Sequence, residues 1–242
     1  MIPVQPPAPA APPSPLLPPW KRNLPNLLTA SRCLLAILFF AVLSTWSFER
    51  SPAAASPHVA DWRLIIAAAV FIIAAATDAL DGHLARKWHA VSPFGRVMDP
   101  FADKLLVLGA FVYLAAPSFE IDGFGQATSV APWMVVVVLG RELLVTSIRS
   151  VLEGAGVPFP ATASGKWKMI LQSICIPLVL LLIALAPLRE LLPTPSERVA
   201  AEWRPTAAYW AITISVYLTV LVTLWSGLPY ILRGYDALKA TP

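Results

Sequence analysis

Six apolar stretches, each close to the length of a helix that crosses a bilayer, divide the chain: Leu27–Trp46, Trp62–Leu80, Phe101–Ala116, Pro132–Val151, Met169–Leu188 and Ala207–Ile231. A helix of about 20 residues spans the roughly 30 Å hydrocarbon core. Lipid offers the backbone no hydrogen-bond partners, so each stretch must pair its own amides. The expected fold is therefore an all-α, polytopic bundle of six transmembrane helices. Composition agrees, because 57% of the 242 residues are hydrophobic and only 13% are charged, too few to cover a soluble domain of this size.

Lys and Arg in short loops orient such a bundle. Lys21, Arg22, Arg32, Arg86, Lys87, Arg96, Lys104, Arg141, Arg149, Lys166, Lys168, Arg233 and Lys239 gather on one side or on helix ends opening to it, against Arg50, Arg63, Arg189, Arg198 and Arg204 on the other. The first side is the expected cytoplasmic one, with both termini on it. The organisation reads as a Pro-rich tail over residues 1–20, a membrane domain over 21–235 and a short tail over 236–242. The first tail holds no Lys or Arg, which argues against a secretory signal peptide. Trp20, Trp46, Trp62, Trp133, Trp167, Trp203 and Trp225 fall near segment ends, as an interfacial aromatic belt would. Cys33 and Cys175 lie in apolar stretches and read as small core residues. The net charge of +4 is spread along the chain, pointing to anionic lipid or phosphate partners and away from nucleic acid.

The chemistry concentrates between Asp78 and Asp103, in DALDGHLARKWHAVSPFGRVMDPFAD. Carboxylates at membrane depth are costly and default to function. If the second helix runs through Arg86, then Asp78, Asp81, Gly82, Ala85 and Arg86 share one face. A turn around Ser92 and Pro93 leads past Gly95 to Asp99 and Asp103, expected on the first turns of the third helix, with Pro100 in its opening turn. Four carboxylates so close need neutralising, and an all-oxygen donor set suits Mg²⁺ or Mn²⁺. Two such ions near a pyrophosphate would favour phosphoryl transfer. Gly82 and Ala85 leave room for a bulky nucleotide, and Arg86 suits a phosphate. A salt-bridge belt of these acids with Arg86, Lys87, Arg96 and Lys104 is the competing reading.

This segment fits the pattern of the CDP-alcohol phosphatidyltransferases at Asp78, Asp81, Gly82, Ala85, Arg86, Gly95, Asp99 and Asp103, without a mismatch. The resemblance implies a six-helix homodimer that binds CDP-diacylglycerol with two divalent ions and releases CMP. It implies that Asp78, Asp81 and Asp99 are metal ligands, and that Asp103 is the general base and also touches the second ion. Gly82, Arg86 and Ser92 would contact the CDP moiety, with Ala85 and Gly95 in the same subsite. It also implies a bacterial inner membrane, with the active site facing the cytoplasm.

The opening NLPNLLTASR, Asn23–Arg32, is similar to the first helix of bacterial phosphatidylglycerophosphate synthases, so Asn26, Thr29 and Arg32 would face the nucleotide. The alternative for Arg32 is snorkelling to lipid headgroups. In GRELLVTSIR, Arg141 and Arg149 lie on an apolar helix, and Arg141 needs a partner, Glu142 or a bound phosphate. Lys166 and Lys168 follow in SGKWKM. Positive-inside anchoring would explain Arg149, Lys166 and Lys168. The resemblance to those synthases, over about Asn23–Leu180, instead implies an acceptor phosphate site and sn-glycerol 3-phosphate as acceptor. The last apolar stretch adds little to it. Rival expectations are another acceptor for the same donor (phosphatidylglycerol, inositol phosphate or serine) and an ion-coupled transporter.

Overall fold

A computed structural model describes residues 19–47, 60–88, 93–121, 125–154, 157, 163–185 and 207–240. Among them are six helices, one per apolar stretch: α1 (Pro19–Ser44), α2 (Trp62–Trp88), α3 (Pro93–Leu114), α4 (Pro132–Gly154), α5 (Ala163–Leu185) and α6 (Ala207–Ala240). A 3-10 turn, Pro117–Phe119, and a short antiparallel hairpin, β1 (Glu120–Ile121) with β2 (Gly125–Gln126), join α3 to α4. Residues 1–18, Ser92, His89, Trp203 and the loop cations Arg50, Arg189, Arg198 and Arg204 lie outside the described residues.

Helix boundaries depart from the hydropathy reading where polar residues sit on helical turns. Pro93, not Pro100, opens α3, as suits a residue whose missing amide would have no helical partner. Asp99 and Asp103 therefore lie on its second and third turns. Lys166 and Lys168 fall within the first turns of α5, and α6 continues to Ala240. Helix α1 already includes Pro19 and Trp20. The shortest helix, α3, has 22 residues, about 33 Å of rise. Among the described residues, two helices, Ala163–Leu185 and Ala207–Tyr235, are long and apolar enough by composition to cross a membrane.

Helix α1 packs on α2 and α3, α2 on α5, and α6 on both α5 and α4. Small buried residues, Ala36, Ala67, Ala68, Ala74 and Ala110, let backbones approach, and Phe39, Phe71 and Phe111 fill the space between. The outer face is apolar as well. Leu34, Ile37, Val136, Ile214 and Leu221 are all exposed, a pattern that needs an apolar surrounding.

At the end of the bundle away from the aspartates, Asp61 is buried. Its carboxylate accepts from Trp46 Nε1 at 2.7 Å and caps α2 through the Arg63 amide at 3.0 Å, while its own amide donates to the Ala184 carbonyl at 3.1 Å. Arg63 Nη1 donates to the Thr45 carbonyl at 2.9 Å, closing the end of α1. Trp46, whose ring centroid lies 4.2 Å from that of Phe119, is thus a core residue and not part of an aromatic belt. Trp62, Trp133, Trp167 and Trp225 are exposed. Cys175 is buried, whereas Cys33 is only half-buried.

Candidate active site

The polar residues meet at the other end of the bundle. On α1, Thr29 and Arg32 are each 1% exposed, so Arg32 does not snorkel outward. It forms an ion pair with Asp78 of α2, whose carboxyl is half-buried. Helix α2 runs past Arg86 without a break, which puts Asp81 one turn beyond Asp78, with Gly82, Ala85 and Arg86 following on the same helix. Helix α3 likewise carries Gly95 and Asp99, and Asp103 one turn after Asp99. The side chains of Asn26, Asp81, Ala85, Arg86 and Asp99 lie outside the described residues, as does Ser92 entirely.

Asp103 opens onto a cavity of about 630 Å³ between α3, α4, α5 and α6. Its lining includes all four cations expected to hold an acceptor phosphate, Arg141, Arg149, Lys166 and Lys168, together with Lys104. Five cations from three helices thus share the cavity with three carboxylates, Asp103, Glu142 and Glu153. The charges of Lys168, Arg32, Glu142 and Lys104 all bear on Asp103, linking the cavity to the Arg32–Asp78 pair.

Glu142 organises the cavity wall. One carboxylate oxygen, Oε1, accepts from Arg141 Nη1 at 2.9 Å and from Lys168 Nζ at 2.6 Å. All three side chains are about one-tenth exposed, so these are buried, charge-assisted contacts. Arg141 Nη2 also donates to Ser226 Oγ of α6 at 3.1 Å. Lys104 donates to Thr146 Oγ1, which in turn donates to the Glu142 carbonyl at 2.7 Å. Arg141 is paired within the protein, as its position demanded.

Sequence reasoning did not find Tyr230, Ser226 or Thr146. Tyr230 is buried, lines the cavity, and lies beneath the guanidiniums of both Arg141 and Arg149. The available signal was the recurrence of Thr219, Thr223, Ser226 and Tyr230 at steps of four, three and four, a helical face that proves buried. Polar groups on one stripe of an apolar helix face the bundle, not lipid.

The donor chemistry fits a hard divalent cation, since the acids on α2 and α3 offer only oxygen. Among the described residues no group of three or more His, Cys, Asp or Glu completes a metal site. A full set would need Asp81 and Asp99 beside Asp78 and Asp103.

Residues 22–225 match the family model described as CDP-alcohol phosphatidyltransferase. The chain belongs to this family. Among its relatives, the CDP-diacylglycerol–glycerol-3-phosphate 3-phosphatidyltransferase of Bacillus subtilis (strain 168) is 34% identical over 225 residues, covering 90% of this chain and 98% of that one. The protein of the same name from Pseudomonas fluorescens is 30% identical, covering 90% and 92%. A cardiolipin synthase (CMP-forming) of Oryza sativa subsp. japonica is 31% identical over 65% of this chain and 45% of its own. Membership of a transferase family replaces the transporter reading.

Proposed function

We propose that this protein transfers the phosphatidyl group of CDP-diacylglycerol to sn-glycerol 3-phosphate, giving phosphatidylglycerophosphate and CMP. The observation that carries the reading is the cavity in which Asp103 faces Arg141, Arg149, Lys166 and Lys168. A neutral acceptor such as serine has no use for such a wall, whereas a phosphate monoester carries close to two negative charges. Full-length relatives named for the glycerol 3-phosphate reaction support the same acceptor.

Asp78, Asp81, Asp99 and Asp103 would hold two divalent ions, Mg²⁺ or Mn²⁺, which when bound polarise the pyrophosphate and neutralise the leaving phosphate. Asn26, Thr29, Arg32, Gly82, Ala85, Arg86, Ser92 and Gly95 form the CDP subsite. The four cations on α4 and α5 take the acceptor phosphate, leaving the 1-hydroxyl beside Asp103. Asp103 accepts that proton while the hydroxyl oxygen bonds to the β-phosphorus. The bond from the β-phosphorus to the bridging oxygen breaks, and CMP leaves with the electron pair. No covalent protein intermediate is needed.

The six helices span a bacterial inner membrane, with both termini and the cavity on the cytoplasmic side, and the protein acts as a homodimer. Supporting the span count are six helices of 22 to 34 residues, each with exposed apolar side chains; two of the helices are also apolar enough overall to cross a membrane. The test is to supply CDP-diacylglycerol and radiolabelled alcohols separately to the purified protein and identify the lipid formed. Label from glycerol 3-phosphate in phosphatidylglycerophosphate is the expected result. Label entering cardiolipin from phosphatidylglycerol, with none from glycerol 3-phosphate, would overturn it.

A further inference from the structure

Arg141 and Arg149 are eight residues apart on α4, a separation of about 12 Å along its axis. Two guanidiniums so spaced do not converge on one ligand unless something draws them together. Tyr230 lies where it can do so. Its ring centroid is 5.5 Å from Arg141 Cζ and 5.9 Å from Arg149 Cζ, both within cation–π reach. The side chain is 3% exposed, so little water screens either contact. Arg141 has other anchors in Glu142 and Ser226. The Nε of each arginine is buried without a hydrogen-bond partner among the described residues.

The backbone of α6 is shaped to deliver this ring. Gly227 and Gly234 precede and follow Tyr230 by three and four residues, on one helical face. A Cβ at Gly234 would lie 2.6 Å from Ile148 Cγ2, and one at Gly227 would lie 3.2 Å from Arg141 Cγ. Helix α6 therefore approaches α4 closely on both sides of the ring, as only small residues allow.

We infer that Tyr230 is a positioning residue for the acceptor: its ring holds Arg141 and Arg149 together as one phosphate clamp, at a helix contact set by Gly227 and Gly234. The inference rests on the reading of these arginines as the acceptor site. It gives α6 a part in choosing the acceptor alcohol, although it bears none of the four aspartates.

The test separates KM from kcat in three variants of the purified full chain. Tyr230→Leu should raise KM for glycerol 3-phosphate roughly tenfold, the size of two partly desolvated cation–π contacts. KM for CDP-diacylglycerol and kcat should stay within about twofold, a split that general loosening of the bundle would not give. Tyr230→Phe, which keeps the ring, should behave as the parent. Gly234→Ala, which pushes α6 from Ile148, should raise the acceptor KM alone, and it carries the test if the leucine variant fails to fold. An unchanged acceptor KM in Tyr230→Leu, or a rise in Tyr230→Phe as large as in Tyr230→Leu, would overturn the inference. A parent enzyme with no turnover on glycerol 3-phosphate would instead overturn the acceptor assignment beneath it.

Discussion

Replacing Glu142 by Gln tests the cavity wall directly. The substitution keeps size and an acceptor oxygen but removes the charge that Arg141 and Lys168 share at 2.9 and 2.6 Å. Both cations are about nine-tenths buried, so water cannot take over. Removing one partner of a buried charge pair costs about 3–5 kcal/mol, and the retained hydrogen-bonding oxygen argues for the lower end, about 3 kcal/mol. For a chain of this size that is a fall in melting temperature of roughly 6–12 °C. Thermal unfolding in detergent, followed by tryptophan fluorescence, reads it. The second half of the experiment adds inorganic phosphate. A ligand at a hundred times its Kd stabilises by about 2.7 kcal/mol, and an anion should recover more stability in the variant than in the parent, since it replaces the missing counter-charge. A melting temperature within about 2 °C of the parent, or equal phosphate shifts in both proteins, would refute the role given to Glu142.

Four further outcomes are expected. Asp103→Asn should abolish CMP release while calorimetric binding of glycerol 3-phosphate persists, because the base is lost and the cationic wall is not. Arg149→Gln should raise the acceptor KM about ten- to hundredfold, as loss of charge-assisted contacts does, whereas exposed Lys166→Ala should change it less than about threefold; the donor KM is the control in both. Chelating divalent ions should stop CMP release, and Mg²⁺ or Mn²⁺ should restore it. Trp46→Phe leaves buried Asp61 one donor short and should cost about 1–3 kcal/mol in thermal stability, with no change in either KM.

The six helices were legible because apolar runs of bilayer length admit few other structures. Their ends were less so, since hydropathy stops at the first polar residues while the helix continues: Lys166 and Lys168 sit on α5, and Asp99 well inside α3. The Asp78–Asp103 motif could be read because its spacing is local, and Arg141's need for a partner followed from its apolar neighbours. Contacts between distant segments were hidden. Trp46 looked like a belt residue because nothing in its own segment points to Asp61, and Lys168 gave no sign of sharing Glu142 from 26 positions away. Tyr230 was harder still, because an aromatic in an apolar helix reads the same whether it faces lipid or a guanidinium.

The ion pair of Arg32 with Asp78 also bears on how the chain enters a bilayer during synthesis. Either charge alone at membrane depth is costly, by about 3 kcal/mol at the bilayer centre and less toward the interface. If α1 and α2 cross the bilayer as proposed, the pair makes them a hairpin that is already neutral at this point. The Trp46–Asp61 bond and the Arg63–Thr45 bond fasten the opposite end of the same hairpin. The Asp61 amide bonds the Ala184 carbonyl of α5, so this end of the hairpin is completed only when α5 packs against it.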